Sequence, residues 1–151
     1  MSKWNLNSLA LSGLVCVAPS FALAQVWSVE QARDALENDQ MILLDIRSRE
    51  EWEETGLAKG ALPVSMHEDG FGANLQRVFN QFPETQIGMI CAVGGRSNHV
   101  ITLLKQNGIT DVVDVSEGMI GNQRGAGWIA KGLPVVGLSE AQSSLDALLN
   151  Q

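Results

Sequence analysis

The segment that most limits what this chain can become is Met41-Ile42-Leu43-Leu44-Asp45-Ile46. A run this apolar cannot alternate between core and solvent, so a strand here is buried on both faces, as in a parallel sheet covered by helices. Other segments repeat the signal. Residues 87–90 and the β-branched Val112-Val113-Asp114-Val115 read as strands, and Ala61-Leu62-Pro63-Val64 as a short one whose proline favours an edge or a strand start. Leu133-Pro134-Val135-Val136 is apolar and extended.

Helical patterns lie between these runs. Ser28 with Gln31, Ser48 with Glu51 and Ser139 with Gln142 have capping-box spacing, each ahead of a short helix. The first helix carries Val29, Ala32 and Leu36 and ends near Glu37; the second runs through Trp52 and stops at Gly56; the last carries Ala141, Leu145, Leu148 and Leu149. Residues 67–72 form a polar loop, after which Leu75, Val78, Phe79 and Phe82 make one apolar helix face ended by Pro83. Val100, Leu103 and Leu104 mark a further helix, with Gly108 as its stop. Strands alternating with helices predict an α/β domain with a mostly parallel central sheet flanked by helices, in which ligands sit beyond the carboxyl ends of the strands.

The N-terminus reads as a secretory signal over residues 1–24: Lys3, an apolar stretch over residues 9–18, and Ala22-Leu23-Ala24 ahead of Gln25. Export to the periplasm or medium is expected. The stretch is too short for an ordinary membrane span, which needs ~20 apolar residues, so no stable anchor is expected. Residues 25–151 then form one domain. With Lys and Arg numbering 10 against 17 Asp and Glu, the formal net charge is −7, and loss of Lys3 makes it more negative; that sign argues against nucleic acid and acidic membranes as partners.

Of the two cysteines, Cys16 falls in the expected leader, leaving Cys91 without an intramolecular partner. Cys91 opens the run Cys91-Ala92-Val93-Gly94-Gly95-Arg96-Ser97, between an expected strand and an expected helix. Unpaired N–H groups at a helix start favour a thiolate, and Gly94 and Gly95 can take positive φ, turning successive N–H groups inward to hold an anion. Arg96 would add a permanent charge. His67-Glu68-Asp69 is expected to be a solvated loop rather than a metal cluster, because adjacent loop residues rarely face one centre, and His99 a surface or packing residue. Trp27, Trp52 and Trp128 are expected in the core. Asp45 and Arg47, with Glu50 as a further candidate, fit a polar network supporting the cysteine loop.

The Cys91 loop resembles the active-site loop of the rhodanese family of sulfurtransferases. The resemblance continues upstream through Leu44-Asp45-Ile46-Arg47, Glu50-Glu51-Trp52 and Gly56-Leu57-Ala58-Lys59-Gly60-Ala61, and downstream through Gly118, Trp128 and Gly132-Leu133-Pro134-Val135. It implies a single rhodanese-like domain in which Cys91 is the nucleophile and Ala92, Val93, Gly94, Gly95, Arg96 and Ser97 bind the substrate. It further implies ping-pong transfer of a sulfane sulfur from a small anionic donor such as thiosulfate, through a Cys91 persulfide, to a thiol or cyanide acceptor or to a protein. No cofactor or metal is called for.

Two departures stand out. Leu57 occupies a position where the family usually has histidine, and residues 120–127 lengthen the segment between Gly118 and Trp128, where Arg124 could reach over the pocket. Two rival readings attach to the same loop. One is a persulfide carrier or docking module without turnover of its own. The other is a cysteine phosphatase or arsenate reductase, against which stand the four residues between Cys91 and Arg96, where such loops typically have five, and Ile90 in place of a common histidine.

Overall fold

In the computed structural model, which describes residues 25–150, the doubly buried run is a central strand. The elements follow in chain order as β1 (Gln25–Trp27), α1 (Val29–Glu37), β2 (Met41–Asp45), α2 (Arg49–Thr55), β3 (Leu57–Ala58), β4 (Ala61–Pro63), α3 (Phe71–Gln81), β5 (Gln86–Ile90), α4 (Gly95–Gln106), β6 (Val112–Val115), α5 (Gly127–Ala130), β7 (Val135–Val136) and α6 (Leu138–Leu149). The main sheet has the order β1-β6-β5-β2-β4, and every pairing in it is parallel. β3 and β7 form a separate antiparallel pair. Pro63 lies on the edge strand, where its missing N–H breaks no ladder. The expected leader and Cys16 lie outside the described residues.

Alternation along the strands divides the core between the two faces of the sheet. Met41, Leu43, Ile90, Val113 and Val115 pack with Val29, Ala32 and Ala35 of α1 and with Trp128. Leu44, Ile87, Met89 and Val112 face the other way, toward Leu75 and Val78 of α3, Val100 and Ile101 of α4 and Leu145 of α6. Burying side chains of this size contributes roughly 1.5–3 kcal/mol each, which is what sets the strand register.

The first two capping boxes form, with both reciprocal bonds at Ser28/Gln31 and at Ser48/Glu51. The third does not. α6 starts one residue ahead of Ser139, at Leu138, because Leu138 packs against the cluster of Trp52, Leu57 and Ala141; the cap position falls on Gly137, which has no side chain to offer. α3 begins at Phe71, inside the segment expected to be loop, since Phe71 and Phe79 rest on the α3 side of the core. Trp52 and Trp128 are buried in the core, and Trp27 is half-buried against it.

Candidate functional site

β5 ends at Ile90 and the chain turns immediately into α4, so Cys91 stands at the carboxyl end of the central strands. It shares the face of Ile87 and Met89 and is fully buried. Its Sγ accepts hydrogen bonds from the N–H groups of Gly94 at 3.1 Å and Ser97 at 3.4 Å, and touches the Ser97 hydroxyl at 3.6 Å. Donors converging on one sulfur are placed to hydrogen-bond a negative charge there.

Three contacts from the segment after β6 hold the carbonyls of the turn away from the sulfur, that of Val93 belonging to the same peptide as the inward Gly94 N–H. The carbonyls of Cys91 and Ala92 accept from the N–H groups of Met119 at 2.9 Å and Ile120 at 2.8 Å; that of Val93 accepts from Asn122 Nδ2 at 2.8 Å. Asn122 also binds the Ser116 carbonyl at 2.7 Å. The glycine-rich stretch over residues 118–127 is therefore a clasp on the back of the cysteine loop. At the start of α4 the N–H groups of Gly95 and Arg96 have no acceptor among the described residues, which leaves them for an anion.

The two glycines of the loop differ. Gly94 has φ of +81°, and a β-carbon on it would lie 2.1 Å from the Ser116 carbonyl oxygen, so only glycine fits. Gly95, expected to share the left-handed conformation, is instead the first residue of α4 with an ordinary helical backbone and open space around its α-carbon. A single left-handed residue suffices to turn the loop into the helix.

Arg96 is not free to serve as a charge for incoming anions alone. Its Nη1 and Nη2 bind Glu51 of α2 at 2.7 and 2.6 Å, a fork-to-carboxylate pair, and Nη1 lies 3.1 Å from His67 Nε2. The guanidinium pulls the Glu51 carboxyl down to about 2, with the Ser48 N–H helping, and Glu51 in turn raises Arg96, which the nearby Cys91 sulfur raises further.

The Asp45–Arg47 pair forms as expected but supports a different place. Buried together, Arg47 Nη2 binds Asp45 Oδ2 at 2.8 Å, while its remaining donors reach Thr55 Oγ1 at 2.9 Å and the Gly56 carbonyl at 2.7 Å. The network fastens the end of α2, not the cysteine loop, because the Arg47 donors are directed to Asp45, Thr55 and Gly56. Glu50 stays outside the network; Glu51, one position on, joins Arg96 instead.

Arg124 does come near the loop. With Val93, Gly94, Gly95, Asn98, Ser116 and Asn122 it lines a shallow cavity of about 220 Å³ beside the cysteine turn. Among the described residues no cluster of His, Cys, Asp and Glu has the arrangement of a metal site.

Sequence reading alone passed over Asp114. It is fully buried in β6, facing the α4 side, and its Oδ1 accepts from the Ser97 hydroxyl at 2.7 Å. The signal was available: an acidic residue in the middle of Val112-Val113-Asp114-Val115 cannot reach solvent from a doubly covered strand. Glu117 was also missed. It is buried beneath the clasp, accepting from the N–H groups of Val29 and Gly127 and pairing with Lys131 at 2.8 Å.

The family model of the rhodanese-like domain matches residues 28–121. An uncharacterized protein of Rickettsia prowazekii is 26% identical over 103 residues, covering 64% of this chain and 84% of its own. Among solved structures, the rhodanese-like domain of an Anabaena protein superposes with a TM-score of 0.59 at 18% identity over 79% of this chain and 83% of that one. The polysulfide-sulfur transferase of Wolinella succinogenes does so with a TM-score of 0.54 at 21% identity, over 76% and 79%.

Proposed function

The chain belongs to the rhodanese-like domain family, and from that premise we propose that it is a sulfurtransferase whose sulfur-carrying nucleophile is Cys91. One observation carries the reading: Gly94 and Ser97 aim N–H groups at Cys91 Sγ while the loop carbonyls are tied back. A preformed set of donors stabilises a thiolate, and after transfer a persulfide anion, with little reorganisation. Sulfur transfer in the Wolinella succinogenes protein, which shares the fold, supports the same chemistry.

In the proposed reaction the Cys91 thiolate attacks the outer sulfur of thiosulfate. The sulfur–sulfur bond of the donor breaks, sulfite leaves with the bonding pair, and Cys91 becomes a persulfide. A thiol or cyanide, as the nucleophile, then takes the outer sulfur and restores the thiolate. The free N–H groups of Gly95 and Arg96 are available to the anionic end of the donor. The phosphatase alternative is disfavoured by Arg96, whose guanidinium is engaged by Glu51 instead of lying open to surround a phosphoryl group.

Mass spectrometry of the protein after treatment with thiosulfate or mercaptopyruvate tests the proposal. A gain of one sulfur confined to Cys91, abolished in Cys91→Ser with the fold intact by circular dichroism, is the expected result. Hydrolysis of an aryl phosphate with no persulfide from any donor would replace it by the phosphatase reading, and the absence of both activities by a docking module.

A further inference from the structure

Asp114 is not used in the proposed sulfur transfer, yet it stands two contacts from the proposed nucleophile. β6 lies beside β5 in the sheet, and alternation places Asp114 on the same face as Val112, under the first turn of α4. There its Oδ1 meets the Ser97 hydroxyl at 2.7 Å, and that hydroxyl meets Cys91 Sγ at 3.6 Å. All three residues are buried. Among the described residues Asp114 Oδ2 has no hydrogen-bond partner, and Asn98 comes near the carboxyl.

A buried carboxylate with an orphaned oxygen carries its charge at high cost, whereas a neutral carboxyl there does not. Burial pushes Asp114 above the usual range for an aspartate, only partly offset by the Ser97 hydroxyl and by the Arg124 charge. The sulfur two contacts away has the opposite setting, with backbone donors that favour its anion. Two acidic groups joined by one hydroxyl and placed in such contrasting surroundings are arranged so that one proton can serve both.

Resting on Cys91 as the nucleophile, we propose that Asp114 holds the proton that Cys91 gives up, received through the Ser97 hydroxyl. Before the transfer the Cys91 S–H faces Ser97 Oγ and the Ser97 O–H faces the Asp114 carboxylate. The thiol proton moves to Ser97 Oγ as the Ser97 proton moves to Asp114 Oδ1. Cys91 is then a thiolate facing a Ser97 O–H donor, and Asp114 is a neutral acid. No proton leaves the site, and the three groups carry one negative charge throughout. Thiolate can therefore form without a proton being released to solvent. The other charges facing this chain are Arg96 with its partner Glu51, on the Cys91 side, and Arg124, on the Asp114 side.

The test needs no sulfur donor, so its outcome is separate from that of the sulfurtransferase reading. The Asp114 side-chain carbon is followed by NMR across pH, in the free protein and after Cys91 is blocked with methyl methanethiosulfonate. Blocking removes the shared negative charge, and the Asp114 midpoint is expected to fall by about one pH unit or more. In Ser97→Ala, alkylation of Cys91 by iodoacetamide at neutral pH should slow about tenfold as the thiolate fraction drops, and Ser97→Thr, which keeps a hydroxyl, should restore the rate. In Asp114→Asn, alkylation should follow a single ionisation where the natural protein shows two. An Asp114 that is ionised at neutral pH and indifferent to blocking would overturn the proposal. So would alkylation in Ser97→Ala as fast as in the natural protein, since the proton would then leave Cys91 without the hydroxyl.

Discussion

Gly94 and Gly95 are chemically identical neighbours with opposite tolerance for change. A β-carbon at Gly94 meets the Ser116 carbonyl and forces an L-residue into a left-handed backbone, so Gly94→Ala should cost about 1 kcal/mol or more and slow Cys91 alkylation. Gly95→Ala meets nothing and removes a glycine from a helix, so it should leave reactivity intact and raise stability by roughly 0.5–1 kcal/mol. Thermal denaturation and iodoacetamide kinetics of the two variants, side by side, check both statements. The pair also marks the limit of what a sequence shows at this scale. That a glycine was required near Cys91 is legible from the turn between strand and helix; which of the two depends on Ser116, a residue on another strand's exit that no local pattern connects to the loop.

At the scale of elements, α2 and α4 are joined beside the candidate site by Glu51 and Arg96. With its folded-state value pulled to about 2 from an ordinary 4.5, Glu51 contributes fully above pH ~4.5, and its contribution is lost as pH falls toward 2. Because both groups are part-exposed, the amount is under about 1 kcal/mol. Urea midpoints of the natural protein and Glu51→Gln should differ near neutrality and converge toward pH 2. The same variant releases Arg96, so the KM for thiosulfate should fall while kcat holds. The long apolar runs made β2, β5 and β6 legible, and reciprocal capping made the starts of α1 and α2 legible. β1 and β3 were not: at two or three residues, each is defined by its partner strand rather than by its own side chains.

Across the whole molecule, buried charge decides more than surface charge does. Arg47 and Asp45 join β2 to the end of α2 while buried, and each nitrogen of the guanidinium has a hydrogen-bond partner. Arg47→Ala leaves a buried carboxylate without its cation and should cost about 3–5 kcal/mol, read as a lowered thermal midpoint, whereas loss of an exposed pair such as Arg33 with Asp34 should pass almost unnoticed. The α/β class and the parallel sheet could be read from pattern alone, as could Cys91 at a strand end. The partners that shape the site could not, because Asp114, Asn122 and Glu117 act across gaps in the chain that only the folded sheet closes.

The clasp formed by Met119, Ile120 and Asn122 places the finishing of the cysteine loop late in the life of each molecule. During synthesis Cys91 and Arg96 leave the ribosome well before the residues that tie back the loop carbonyls. A nascent chain, or one truncated ahead of Met119, thus carries the full signature motif yet offers only the nucleophilicity of an unstructured thiol. The set of donors around the sulfur exists only once the fold is complete.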